Sequence, residues 1–344
     1  MKLEGHERIL VLKPSSLGDI VHTLPAVSAI SRQFPETRID WLANTEWLPL
    51  LEGLPFLRRT VPFPRKNFRG FGGLLRARRW AATEFASEDY DLALDFQGLL
   101  RSALLAKMSG ARQRIGFAQA REGAANLYHH SICVQDWAHR HAVDRYRSLV
   151  ESLGVSTEPV EFPLPEGTPV DLPKEFSDSA IVLHPFSRGA GKSLSLAEVE
   201  ELCEALAPQP VILVGRTEHS SHEGHDWPGQ VHDLLNRTDL SELISLLCQA
   251  RGTISVDSGP MHLAAGINDR ILSLHTWTDP GMVGPWRPGS WVYRDGQFQQ
   301  VRELVAGQFP ERRDQKRKLA SQDRLYTQAE IEKIAQFIST EFAA

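Results

Sequence analysis

Cysteine is scarce in this chain. Only Cys133, Cys203 and Cys248 occur in 344 residues, too few and too widely spaced for a disulfide framework or a zinc site. Such usage fits a reducing compartment. No run approaches the roughly 20 apolar residues that a membrane-spanning helix needs, and Met1-Lys2-Leu3-Glu4-Gly5-His6-Glu7 lacks the apolar core of a signal peptide. The expected location is the cytoplasm, with peripheral membrane contact left open, since that needs only a basic or apolar patch. Neither sign of charge is in large excess: 38 basic against 43 acidic residues give a net charge of -5, which argues against a nucleic-acid partner. Neither half carries a Gly-x-Gly-x-x-Gly turn after its first strand, which weakens a dinucleotide-dependent dehydrogenase. A nucleophile elbow, an HExxH pair and a Cys/His cluster are missing too. Group transfer from a phosphorylated donor remains the best chemical class.

What is there is an alternation of strand and helix patterns, with 42% hydrophobic and 24% charged residues as in an ordinary globular protein. A chain of 344 residues exceeds what one hydrophobic core usually serves, so two domains are expected. In the first half, Arg8 to Leu12, Arg38 to Leu42 and Leu92 to Asp95 read as strands, and Asp19 to Gln33 and Ala142 to Leu153 as helices. Pro159, Pro163, Pro165, Pro169 and Pro173 then break the pattern as a linker does. Beyond it Ala180 to His184, Val211 to Gly215, Thr253 to Val256 and Ile271 to His275 resume the strands. Helices between them open on the capping signals of Ser195 with Glu198 and of Asp239; Thr327 with Glu330 opens the last one. The predicted class is α/β, with domains over 1–160 and 175–325 and a C-terminal helix over 326–344 whose packing its pattern does not reveal.

Two Gly/Asp loops stand where a strand hands over to a helix, the position at which open α/β sheets bind ligands. One is Lys13 to Asp19 (KPSSLGD), the other Ser255 to His262 (SVDSGPMH). Asp19 has two jobs open to it: capping the helix, or serving as a general base for a hydroxyl. Lys13, on the same strand end, would neutralise Asp19 or hold an anion. The Ser187 to Ser193 segment (SRGAGKS) is either a phosphate cradle with Lys192 as its point charge or a flexible surface loop, and its spacing is not that of a P-loop. In the second loop Pro260 fits a first helical turn, whose free N–H groups attract anions. Asp257 would repel a phosphate and is better suited to sugar hydroxyls, and His262 is either structural or a phosphate-side partner.

These loops sit among further blocks: Lys13 to Pro25 (KPSSLGDIVHTLP), Leu94 to Ser102 (LDFQGLLRS), Ala120 to Tyr128 (AREGAANLY), His141 to Leu153, Val256 to Ala265 (VDSGPMHLAA) and Thr278 to Gly281 (TDPG). In this order they span nearly the whole chain, which resembles the heptosyltransferases of lipopolysaccharide core synthesis, glycosyltransferase family nine. The first half is most similar to the heptosyltransferase I members. The resemblance implies a GT-B fold, two Rossmann-like domains facing a central cleft. It also implies inverting transfer of a heptose from ADP-heptose to a Kdo-lipid A type acceptor, with neither a cofactor nor a required metal.

Residue by residue, the resemblance makes Asp19 the base and Lys192 the clamp on the leaving diphosphate. Asp257 would orient the donor sugar, the amides around Ser258, Gly259 and His262 would face the diphosphate, and Ser187 belongs to the donor loop. Glu218 is the candidate for the ribose hydroxyls. On the acceptor side, Arg58, Arg59, Arg65, Lys66, Arg69, Arg76, Arg78 and Arg79 occur with no acidic residue between them. Such a run is a solvated face or, beside a phosphorylated lipid-linked glycan, a docking surface. Lys13, Arg65, Lys66, Arg69, Arg101 and Arg121 are the acceptor-side candidates, and Phe63, Phe68, Phe71 and Trp80 would touch lipid or sugar. Peripheral contact would fall on the cytoplasmic face of the inner membrane. Two departures lie near the donor site, Trp277 before Thr278-Asp279-Pro280 and the glycine-rich 187–193 loop, and the basic 298–324 segment reads as a solvated loop. Two alternatives follow: a family relative using another nucleotide sugar, and a nucleotide-sugar epimerase, which needs no acceptor.

Overall fold

Short apolar runs buried on both faces are the signature of parallel strands sandwiched between helices, and both halves of the chain are built on them. The computed structural model describes residues 2–177, 179–217, 225–305, 307–320, 322 and 324–342. It divides into two units, Met1–Pro165 and Glu166–Ala344.

The first unit runs β1 (Arg8–Leu12), α1 (Leu17–Gln33), β2 (Arg38–Asn44), β3 (Arg59–Phe63), α2 (Gly73–Glu84), β4 (Leu92–Asp95), α3 (Leu100–Met108), β5 (Gln113–Phe117), β6 (His130–Ile132) and α4 (Ala142–Glu151). Its six strands are all parallel, in the order β3-β2-β1-β4-β5-β6. Ile9, Leu10, Val11 and Leu12 are fully buried at its centre, each such side chain contributing about 1.5–3 kcal/mol relative to exposure. The order reverses between β1 and β4, and there the register sets Leu12 beside Asp95. Crevices of this kind, outside the carboxyl ends of strands, are where doubly wound sheets take their ligands. Helix α4 packs on α1 and buries Val143, Tyr146, Leu149 and Val150.

The second unit runs β7 (Ile181–His184), α5 (Leu196–Ala205), β8 (Val211–Leu213), β9 (Val231–Asp233), α6 (Leu240–Gln249), β10 (Gly252–Val256), α7 (Gly259–Ile267), β11 (Ile271–Leu274), α8 (Pro280–Val283), β12 (Trp291–Arg294), β13 (Gln297–Gln300), α9 (Lys316–Ala320) and α10 (Gln328–Glu341). Its sheet repeats the first topology, β9-β8-β7-β10-β11-β12, with β13 added antiparallel at the edge. The switch point here lies between β7 and β10. Helix α10 packs against α5, and its Ile331, Ile334, Ala335 and Ile338 join the core of this unit. Thr327 caps it as the sequence signals, accepting from the Glu330 amide at 3.3 Å.

Candidate active site

In the first unit, Lys13 leaves β1 with its side chain only 2% exposed, while Asp19, two residues into α1, keeps 38% of its side chain open to solvent. A buried ammonium needs partners, and Lys13 has three. It donates to the Phe96 carbonyl at 3.1 Å and to the Tyr146 hydroxyl at 2.8 Å, and lies 3.5 Å from Asp19 Oδ1. Tyr146 in turn donates to Asp19 Oδ1 at 3.1 Å. Asp19 Oδ2 accepts from the Ser16 amide at 3.0 Å and the Ser16 hydroxyl at 2.8 Å. Asp19 therefore does help to cap α1, as the partner of the N-cap Ser16, while its carboxylate stays partly open to solvent.

Burial works against the charge on both members of this pair, and their mutual attraction outweighs it. Asp19 is held below the ordinary carboxylate range by Lys13 and by the Ser16 and Tyr146 hydrogen bonds, and Lys13 is raised above an ordinary lysine chiefly by Asp19. Burial pushes the Tyr146 phenol up to about 12, so it stays a donor. The helix dipole adds to the stabilisation of Asp19.

Below this pair sits Asp95, fully buried at the end of β4. It accepts from the amides of Gln97 and Gly98 at 2.9 and 3.1 Å and from the Tyr128 hydroxyl at 2.8 Å. These bonds fix the turn that offers the Phe96 carbonyl to Lys13. Arg121 is tied to the same turn through its amide, 2.9 Å from the Gly98 carbonyl, and its side chain is exposed. Arg101 is exposed in the first turn of α3.

The basic run divides. Arg65, Lys66 and Arg69 are exposed, as are Arg78 and Arg79. Arg58 and Arg59 are not free to dock anything: both hold the fully buried Asp40, Arg59 through Nε at 2.9 Å, and Glu84 and Glu88 complete the network. The β2–β3 register, which sets Asp40 beside Arg59, is the reason. Arg76 donates to the carbonyls of Asn67, Arg69 and Phe71 at 2.9, 2.6 and 3.2 Å. The aromatic reading needs a larger correction. Phe63 is buried, and Phe68 and Trp80 pack against it with ring centroids 5.2 and 5.4 Å away, so only Phe71 is presented outward.

In the second unit the same kind of pair spans β7 and β10. Lys192 Nζ lies 2.6 Å from Asp257 Oδ2, with the side chains 15% and 8% exposed. Thr278 donates to the same oxygen at 2.5 Å, and His275 Nδ1 lies 3.9 Å away. Burial alone would raise the Asp257 carboxyl, but His275, Lys192 and Thr278 hold it below its ordinary value. Burial drives His275 itself down to about 4, so at neutral pH that ring is uncharged and Lys192 is the cation that counts. His184 is likewise pushed down to about 4 by burial, and its Nδ1 lies 3.3 Å from Ser258 Oγ.

The 187–193 segment is a closed loop. Ser187 N–H donates to Ser193 Oγ at 2.9 Å, Ser193 Oγ donates back to the Ser187 carbonyl at 3.0 Å, and Ser187 Oγ reaches the Asp257 carbonyl at 3.2 Å. Trp277 explains itself here: its indole donates to the Ala190 carbonyl at 3.0 Å, Thr276 donates to that of Gly191 at 2.7 Å, and the Lys192 ammonium sits 4.9 Å above the Trp277 ring. Gly191 has φ +71°, and a Cβ there would come within 2.8 Å of Leu319 in α9. The 298–324 segment is thus more than a solvated loop: Lys316 lies over Trp277 at 5.3 Å, and Arg312 pairs with Asp295 at 2.9 Å while its amide binds the Trp277 carbonyl. Ser258 is the N-cap of α7, Gly259 opens its first turn, and His262 follows one turn in, partly buried. Glu218 lies outside the described residues.

Sequence reasoning missed Tyr146, Thr278 and Asp95 as parts of these sites. Tyr146 could have been found only as an aromatic on the buried face of α4.

Comparison with known proteins agrees with this architecture. The sequence model of glycosyltransferase family 9 (heptosyltransferase) matches residues 79–309. Lipopolysaccharide heptosyltransferase 1 of Pseudomonas aeruginosa is 30% identical over 296 residues, 81% of each chain. That of Escherichia coli K12 is 28% identical over 302 residues, 83% of this chain and 93% of the relative. Among solved structures, E. coli heptosyltransferase WaaC with ADP superposes with a TM-score of 0.69 at 25% identity, covering 87% of this chain and 96% of the other. WaaC with ADP-2-deoxy-2-fluoro heptose gives 0.67 at 25% identity, over 79% and 90%. The two Rossmann-like units have the GT-B architecture of these enzymes, and the chain belongs to glycosyltransferase family 9 (heptosyltransferase).

Proposed function

We propose that this glycosyltransferase moves a heptose from ADP-heptose to a sugar hydroxyl of a Kdo-lipid A type acceptor, with inversion at the anomeric carbon. The observation that carries the reading is the polarity of the first site, a buried lysine beneath a carboxylate that is ionised yet open to solvent. In the reaction Asp19 accepts the acceptor hydroxyl's proton as that oxygen bonds to the anomeric carbon, and the bond from that carbon to the diphosphate breaks. General-base assistance of this kind is worth roughly 10²- to 10⁴-fold. ADP departs with charge that Lys192 and the first-turn amides of α7 neutralise. The Lys192–Asp257 pair gives this step a mechanism: the diphosphate competes for the ammonium, and the carboxylate turns to sugar hydroxyls while Thr278 keeps hold of it. Arg65, Lys66, Arg69, Arg101 and Arg121 receive the phosphates and carboxylates of the acceptor, as their exposed guanidinium and ammonium groups suit.

The donor assignment draws on the relatives, two of whose structures hold ADP and an ADP-heptose analogue. Purified protein should release ADP from ADP-heptose only when a Kdo-lipid A acceptor is present. Equal release without acceptor, or none with it, would sink the proposal. A thermal-shift panel of nucleotide sugars separates ADP-heptose from other donors, because a ligand that binds only the folded state raises the melting point.

A further inference from the structure

Among the described residues no helix is long and apolar enough to cross a membrane. Six large apolar side chains are exposed among those residues, and three of them fall within five positions: Phe71 at 106%, Leu74 at 64% and Leu75 at 54%. Clustering of this kind, unlike scattered exposure, marks an interaction site. Leu74 and Leu75 lie in the first turn of α2, just after Phe71, and Arg78 follows them at helical spacing. Gly73, Ala81 and Trp80 are the residues of α2 that pack inward. Trp80 of this helix packs on Phe63 and Phe85, while Leu74 and Leu75 stay exposed.

The display is built. Gly70 and Gly72 have φ +75° and +76°, and a Cβ on Gly73 would come within 2.1 Å of the Phe68 carbonyl, so glycine is required for the tight approach that turns Phe71 outward. The Arg76 guanidinium then pins the carbonyls of Asn67, Arg69 and Phe71 from within the turn. Around the apolar tip stand Arg65, Lys66, Arg69, Arg78 and Arg79, all exposed, and residues 53–83 include no acidic residue. An apolar tip ringed by cations of one sign fits a bilayer with anionic headgroups: the rings and alkyl groups enter the acyl boundary while the cations meet phosphates.

We infer that residues 65–79 form a membrane-docking element that seats on an anionic phospholipid bilayer through Phe71, Leu74 and Leu75. Arg65, Lys66 and Arg69 also serve the acceptor in the proposed function, and vesicles with no glycolipid acceptor and no sugar donor separate the two roles. The full chain should co-sediment with phosphatidylglycerol-containing vesicles at least about tenfold better than with phosphatidylcholine vesicles, and less well as salt is raised. Phe71→Ser/Leu74→Ser/Leu75→Ser should lower that binding by about tenfold or more, and Arg78→Gln/Arg79→Gln by roughly 25-fold, since each cation near such a surface is worth roughly fivefold. Both variants change exposed side chains and should keep the melting point and ADP affinity of the parent. A Phe71→Trp variant should shift its fluorescence to the blue on vesicle binding. Equal binding to neutral vesicles, binding unchanged in the triple variant, or no spectral shift in the Phe71→Trp variant would each overturn the proposal.

Discussion

The two switch points share a strand order and an ion pair but bury opposite partners. In the first unit the cation is hidden, Lys13 at 2%, and the carboxylate is offered, Asp19 at 38%; in the second the carboxylate is the more hidden, Asp257 at 8% against Lys192 at 15%. Burying one member of a pair fixes it and leaves the other to act on whatever arrives. A buried lysine keeps a neighbouring carboxylate ionised and able to accept a proton. A buried aspartate holds a lysine in place for an anion. In the proposed reaction, one fold repeated twice would supply the two tools an inverting transfer needs, a base and a clamp for the leaving group.

Variants that attack each pair should break the molecule in different ways. The largest effect belongs to Asp19→Asn, which removes the proposed base: turnover should fall roughly 10²- to 10⁴-fold, and the melting point should fall as well, because the buried Lys13 loses its counter-charge. Lys192→Gln keeps a donor for Asp257 but loses the charge, and should reduce turnover about 10²-fold and weaken ADP in a binding titration. Normal ADP affinity in that variant would remove Lys192 as the clamp.

The second unit should also respond to pH through its buried histidines. His184 and His275 titrate near 4 in the folded protein and near 6.5 when unfolded. Between those values the unfolded chain binds more protons, so their contribution is complete above pH 6.5 and is lost as pH falls toward 4. Each is worth on the order of 3 kcal/mol. Denaturant melts from pH 7 to 4.5 should show this loss, and His275→Asn should flatten it; a slope the same in that variant would remove His275 from the account. Smallest in effect is Tyr146→Phe. Losing the hydroxyl that donates to Asp19 at 3.1 Å should raise the Asp19 carboxyl and move the acid limb of the pH–rate profile upward, with turnover down about tenfold.

The strands that set the two switch points were legible because they are continuous apolar runs: Arg8–Leu12, Leu92–Asp95, Ile181–His184 and Gly252–Val256 each stand out between polar segments. The strands at or next to the sheet edges were not. Arg59–Phe63 contains Pro62, Gln113–Phe117 contains Gly116, and His130–Ile132 and Val231–Asp233 are three residues long, so none carries a period long enough to read. At the sites, glycine and aspartate at strand ends pointed to Asp19, Lys192 and Asp257 directly. Their partners were hidden by distance along the chain: Tyr146 lies 133 residues from Lys13, and Asp257 lies 65 from Lys192. The basic run misled for the same reason, since Asp40, Glu84 and Glu88, which occupy Arg58 and Arg59, all lie outside it. Phe63, Phe68 and Trp80 looked outward because their packing on one another depends on the β3–α2 geometry, which no local spacing expresses.

The division of labour between the two pairs is tested most directly by measuring ADP affinity and acceptor-dependent turnover side by side in Asp19→Asn and Lys192→Gln. The first should lose turnover and keep the parent's ADP affinity, and the second should lose ADP affinity along with turnover. An Asp19→Asn protein that turns over normally, or that loses ADP affinity as fully as the lysine variant, would contradict it.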